Sequence, residues 1–424
     1  MNVLIKSATI VDKNSPFHLQ KKDLLIENNV FVKIGNGLKC PKNFKQIELK
    51  DLYISNGWFD SSVSLGEPGF EERETLDNGL DVAAKSGFTD IALNSNSQPL
   101  VDSKTSVSYL IHQSKHKATN LHPIGSLTKK SKGVEMAELF DLKNSGAIAF
   151  GDYNLPVANE NLLKIALLYA QNFEGLVLSF PHNKSIAGEG IANEGENSTR
   201  LGIKGIPNLA EELQISRDLF LLEYTGGKLH IPTISTAKSV ELIRVAKQKK
   251  LHVTCSVSAH HLTLTDDELE GFSGNVKVIP PLRTKKDTEA LVTGVLDGSI
   301  DCITSDHNPI DIEHKKVEFD RAKYGTIGLE SLFGSLSNIF DIETIVDLLT
   351  TKPRRVFGLK SNCIEEGNEV AISLFSTTES RVFSEKEILS TSKNSLFLGK
   401  EIKGKVYGIY ANHKLVLNEA TLNL

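Results

Sequence analysis

The chain has 424 residues, 40% of them hydrophobic, and a formal net charge of -5. That is enough apolar residue for one large core and a smaller one. The mild acidity and the lack of a basic stripe leave no footprint for nucleic acid, and no apolar run reaches the roughly 18 residues that span a bilayer.

The chain opens as Met1-Asn2-Val3-Leu4-Ile5-Lys6, which reads as a strand and not as a signal peptide. Alternation over 3–10, runs at 23–27 and 30–34 around Asn28-Asn29, and a run at 46–49 predict short strands. From 53 to about 350 the pattern changes. Apolar runs at 53–59, 90–93, 121–124, 147–151, 175–179, 228–234, 252–257 and 301–304 alternate with amphipathic segments. That alternation predicts βα units, and eight of them predict a closed (β/α)8 TIM barrel.

Helical spacing runs over 208–222 and 239–250, and the second ends in Lys247, Lys249 and Lys250, which suits a helix C-terminus. Thr265-Asp266-Asp267-Glu268 reads as a capping box. Strand runs return at 370–374, 404–409 and 414–417. The expected organisation is α/β. Residues 1–52 and 355–424 together make one composite β-sandwich, and 53–354 make the barrel. Cys40, Cys255, Cys302 and Cys363 are scattered with no CxxC, which suits free thiols in a reducing cytoplasm.

In such a barrel the chemistry sits at the C-terminal strand ends. Here those ends carry Asp60-Ser61-Ser62-Val63-Ser64, Gly151-Asp152-Tyr153, Ser179-Phe180-Pro181-His182, Pro232-Thr233-Ile234 and Ser305-Asp306-His307-Asn308-Pro309.

Together with these ends, several stretches resemble the dihydroorotases of the amidohydrolase superfamily, nearly end to end. They are Ser64-Leu65-Gly66-Glu67-Pro68-Gly69, residues 83–89, 193–207 with Ala210-Glu211, Ile215-Ser216-Arg217-Asp218, His230 to Thr236, His260-His261-Leu262, Pro280-Pro281-Leu282-Arg283, Asp306-His307-Asn308-Pro309 and Gly328-Leu329-Glu330. Family members hold one or two zinc ions, which activate a water and polarise the amide carbonyl. The resemblance implies two histidines after strand one, a carboxylate after strand four, a histidine after each of strands five and six, and an aspartate after strand eight that also acts as general base.

At those positions this chain has Ser62 and Ser64, then Asp152 (with Tyr153 next to it at a place acidic in some relatives), Ser179, Thr233 and Asp306. The substrate positions depart too. Gly66 stands for the carboxylate-clamping arginine, Ser95 and Ile279 for two asparagines, and Ile310 for a histidine. The substrate pocket is therefore expected to be framed by Ser62, Ser64, Gly66, Ser95, Thr233, Ile279, His307 and Ile310, with Asp306 a vestigial general base.

Neutral hydroxyls are weak zinc ligands, so no metal and no cofactor is expected. If a cation binds at all, Asp152 and Asp306 would hold it, with His182 an outside candidate. His182, His260 and His261 read as structural rather than as a relocated metal set. The expected protein is a cytoplasmic, dihydroorotase-like pseudoenzyme of pyrimidine biosynthesis. It would act structurally or as a regulator, as a homodimer, with aspartate carbamoyltransferase the partner that the resemblance implies. The alternative is an active cyclic amidohydrolase with a rebuilt zinc site. A third reading is a sensor that binds a small molecule without chemistry.

Overall fold

Gly57 divides the first long apolar run. In the computed structural model, which describes residues 2–419, Tyr53–Asn56 and Trp58–Val63 are separate strands in two different sheets. A side chain at Gly57 would place its Cβ 2.1 Å from Thr89 Oγ1, so only glycine fits where the chain passes between the sheets.

The first sheet is the barrel. Its strands are Trp58–Val63, Phe88–Leu93, Asn120–Gly125, Ala149–Phe150, Leu176–Leu178, Lys228–Ile231, Val253–Ser258 and Cys302–Thr304, each parallel to the next and in chain order. Strands one and eight meet through a parallel bridge between Val63 and His307. Ser64 N–H donates to the His307 carbonyl at 2.7 Å, and Ser305 N–H donates to Asp60 Oδ2 at 3.0 Å. Closing the sheet removes its edges.

Strand one is buried at every residue. Trp58 packs on Phe88, Phe333 and Phe375 with ring centroids 5.0–5.8 Å apart. Helices surround the strands where helical spacing predicts them, at Leu209–Thr225 and Ala237–Gln248. Thr236 caps the second by accepting from Ser239 N–H at 3.2 Å. The expected capping box at Thr265 closes only in part. Thr265 accepts from Asp267 N–H, but the Glu268 carboxylate turns away to Lys400 Nζ at 2.6 Å.

The second sheet takes strands from both ends of the chain. Its order is Lys414–Leu417, Glu401–Ala411, Ile372–Val382, Tyr53–Asn56, Val3–Ile10, Lys21–Glu27 and Val30–Gly35, with Lys45–Ile47 also beside Val3–Ile10. Asn28 and Asn29 both adopt positive φ, 51° and 67°, which fits the tight hairpin between Lys21–Glu27 and Val30–Gly35. Val3, Ile5, Leu24, Ile54, Ile372 and Leu374 lie in a separate apolar core on this sheet. Cys255 and Cys302 are buried, Cys40 and Cys363 half-buried, and all four thiols are free. Among the described residues no helix is long and apolar enough to cross a membrane.

Candidate active site at the barrel mouth

Strand one turns its Asp60 and Ser62 toward strand eight. The Asp60 carboxylate is buried and accepts from Thr304 Oγ1, Ser305 N–H and Ser62 N–H. Burial raises its pKa against those donors. Ser62 Oγ donates to Asp306 Oδ1 at 3.2 Å. Asn94 Nδ2, at the end of strand two, donates to Ser62 Oγ at 3.1 Å and Ser64 Oγ at 3.2 Å. The two serines that stand for the first histidine pair are thus tied into a neutral hydroxyl–amide network.

Asp306 is at the centre of the mouth. Burial pushes its carboxyl up to about 7, and the nearby Asp60 charge adds to this, against the Ser62 and Tyr153 hydroxyls. A buried acid held that high lacks a strong cationic neighbour. The space beside it, lined by Ser62, Asn94, Tyr153, Phe180, Thr233, Ile279 and Asp306 among others, amounts to about 20 Å³. That is room for roughly one water.

The structure brings together part of the expected pocket. Ser62, Thr233, Ile279 and Asp306 line the cavity, whereas Ser64, Gly66, Ser95, His307 and Ile310 do not. Ser95 Oγ donates to the Gly151 carbonyl at 2.8 Å, and Asn94, one residue earlier, is the side chain that reaches the site. Gly66 is closed over by its own loop: a Cβ there would lie 1.8 Å from the Phe70 carbonyl oxygen. Ile310 borders a different, open groove near Lys315. His307 Nδ1 accepts from Gly328 N–H at 3.2 Å, and burial lowers the ring's pKa to about 4, so it is a neutral imidazole.

Asp152, Ser179, the outside candidate His182 and the structural His261 are engaged elsewhere. Asp152 accepts from Thr128 N–H at 3.0 Å and Thr128 Oγ1 at 2.5 Å, which turns its carboxylate away from the mouth. Tyr153 enters the site in its stead. Ser179 Oγ donates to Asp218 Oδ2 at 2.6 Å. His182 packs against Phe180. His261 accepts from Ser258 Oγ at 2.6 Å and donates to the Pro280 carbonyl at 3.0 Å, a structural tie between two loops.

Zinc does not fit this donor set. The converging groups are hydroxyls, one amide and one raised carboxyl, where zinc takes imidazole, thiolate or carboxylate. Nε2 of His260 and of His307 are buried without a hydrogen-bond partner. Yet among the described residues no three of His, Cys, Asp and Glu gather into a metal-holding group.

Sequence reasoning noted Tyr153 beside the strand-four acid but did not assign it, or Asn94, to the site. Each sits one position from an expected residue. The signal for the first was an aromatic at a place that is acidic in some relatives.

The dihydro-orotase-like family matches residues 53–239. A dihydroorotase of Geotalea daltonii is 36% identical over 422 residues, covering 98% of this chain and 99% of that protein. One of Citrifermentans bemidjiense is 37% identical over 411 residues, covering 96% and 97%. Among solved structures, the L-hydantoinase (dihydropyrimidinase) of Arthrobacter aurescens superposes with a TM-score of 0.83 at 19% identity, over 99% of this chain and 98% of that one. The dihydropyrimidinase of Brevibacillus agri gives 0.81 at 21% identity, over 99% and 96%. These two establish the fold alone.

Proposed function

Because the chain belongs to the dihydroorotase family, its altered site is what calls for explanation, and we propose that it is a dihydroorotase-like protein of pyrimidine biosynthesis that does not hydrolyse through a metal. One observation carries this reading. Four of the six positions that would hold zinc are Ser62, Ser64, Ser179 and Thr233. Of the two acids, Asp152 is engaged by Thr128, and Asp306 is held by hydroxyls beside a cavity of about 20 Å³. Without metal there is no activated hydroxide, and Gly66 offers no guanidinium to clamp a substrate carboxylate. The proposed role is structural or regulatory, in the cytoplasm, as a homodimer. Aspartate carbamoyltransferase is the partner to test, by co-purification from the source cell.

A second reading is an active cyclic amidohydrolase that cleaves the ring C–N bond of dihydroorotate with a rebuilt zinc site. The full-length relatives named dihydroorotase favour this reading more directly than the first. The first rests on this chain's own side chains. Dihydroorotate turnover separates them. The proposal expects no hydrolysis above background with or without added zinc. Turnover that is lost in Asp306→Ala would establish the second.

A further inference from the structure

We propose that Tyr153 is an internal stopper: its phenol fills the point at the barrel mouth on which the family's ligand positions converge, and it keeps that site closed. This rests on the metal-free reading above and adds to it a specific occupant.

Three observations meet here. The Tyr153 hydroxyl faces the side chains of Ser64, Asp306 and Asn308. Ser64 and Asp306 come from strands one and eight and occupy two of the ligand positions, so the phenol reaches the place where a cation would be shared between them. Second, the backbone is set to point it there. Tyr153 adopts φ 54°, a conformation uncommon for residues bearing a side chain. The preceding Asp152 is fixed by Thr128 on its carboxylate and by Leu155 N–H on its carbonyl at 3.1 Å. Third, with the ring in place only about 20 Å³ remains beside it.

A neutral O–H beside Asp306 thus does geometrically what a cation does in the relatives' frame, and brings no positive charge. Lost histidines alone would leave a polar hollow. Here the hollow is filled by a residue one position after the acid expected to be a ligand.

Chemical rescue tests this. Tyr153→Ala removes the equivalent of one phenol and opens a cavity on the order of 100–150 Å³, large enough for one aromatic ring. Melting of Tyr153→Ala and of the wild type is followed with phenol and with benzene. Melting of Tyr153→Phe, which removes only the hydroxyl, is followed without ligand. The expected result is that phenol raises the melting temperature of Tyr153→Ala but not of the wild type. Phenol should bind about tenfold more tightly than benzene, as a retained hydrogen bond requires. Tyr153→Phe should melt below the wild type. Phenol and benzene acting equally on Tyr153→Ala, or Tyr153→Phe matching the wild type, overturns the stopper. If Tyr153→Ala does not fold, Tyr153→Phe decides alone. A zinc titration of the wild type keeps the two readings apart. Stoichiometric zinc contradicts the metal-free reading and the stopper together. A wild type without zinc, beside a Tyr153→Ala that does not distinguish phenol from benzene, contradicts the stopper only.

Discussion

Asp306 and Asp60 share the top of strands one and eight but are held in different ways. Asp60 accepts three hydrogen bonds and closes the barrel, while Asp306 faces hydroxyls in a desolvated mouth. The fold raises the Asp306 carboxyl to about 7, against an unfolded value of about 4. Between those values the folded chain holds a proton that the unfolded chain has lost, so this group's contribution to stability falls as pH rises from about 4 to about 7. Asp306→Asn removes that dependence. Thermal melts at pH 5 and pH 8 should show the variant gaining on the wild type at pH 8. An equal difference at both pH values would count against a raised, cation-free Asp306.

Gly66 makes a second point at this scale. Its sequence position identified a missing arginine, but not that the loop had closed. A Cβ there meets the Phe70 carbonyl oxygen at 1.8 Å and the Glu74 carbonyl oxygen at 2.9 Å. Gly66→Ala is expected to cost about 1–3 kcal/mol by urea denaturation, and Gly66→Arg to destabilise at least as much without restoring substrate binding. A neutral Gly66→Ala would show that the loop yields.

At the scale of elements, the family-like stretches have a common structural use. Glu211, in helix Leu209–Thr225, accepts from Ser235 N–H, Ser235 Oγ, Thr236 N–H and Ser239 Oγ, and so anchors the start of helix Ala237–Gln248. Arg283 donates to Asn193 Oδ1 at 2.9 Å, the Ile206 carbonyl at 2.8 Å and Ser235 Oγ at 3.1 Å. Segments far apart in sequence meet in this buried network, away from the mouth. These family-like residues thus maintain the frame, whereas Ser62 and Thr233, which stand at expected ligand positions, line the mouth. Arg217 belongs with the frame, reaching Asp218 and the Val157 carbonyl at 2.7 Å. Glu211 lies 3.9 Å from the buried Arg283. Glu211→Ala strips that ion pair and the four hydrogen bonds above, and leaves Arg283 with Asp287, Glu212 and Asp266 as its remaining acidic neighbours. It is expected to cost about 3 kcal/mol in equilibrium unfolding. A loss below about 1 kcal/mol would mean that water replaces the carboxylate.

Periodicity made most of these elements legible, because a parallel strand buried on both faces and an amphipathic helix each write their period into the chain. It did not separate Tyr53–Asn56 from Trp58–Val63. Both are apolar, and only the tertiary path at Gly57 divides them. Nor did it show where Asp152 or Glu268 point, since a carboxylate's partner is set by loops remote in sequence.

At the scale of the whole molecule, the barrel and the sheet drawn from both ends share the fold of the Arthrobacter aurescens L-hydantoinase over nearly the full chain. The fold therefore says little about activity. The decision lies in a few side chains at one mouth, where Ser62, Thr233 and Tyr153 form a neutral lining around Asp306. Equilibrium dialysis of the purified chain against zinc at neutral pH, followed by elemental analysis, tests this lining most directly. The account predicts well under one ion per chain, with Asp306→Ala no different. One or two tightly held ions per chain, lost in Asp306→Ala, would contradict it.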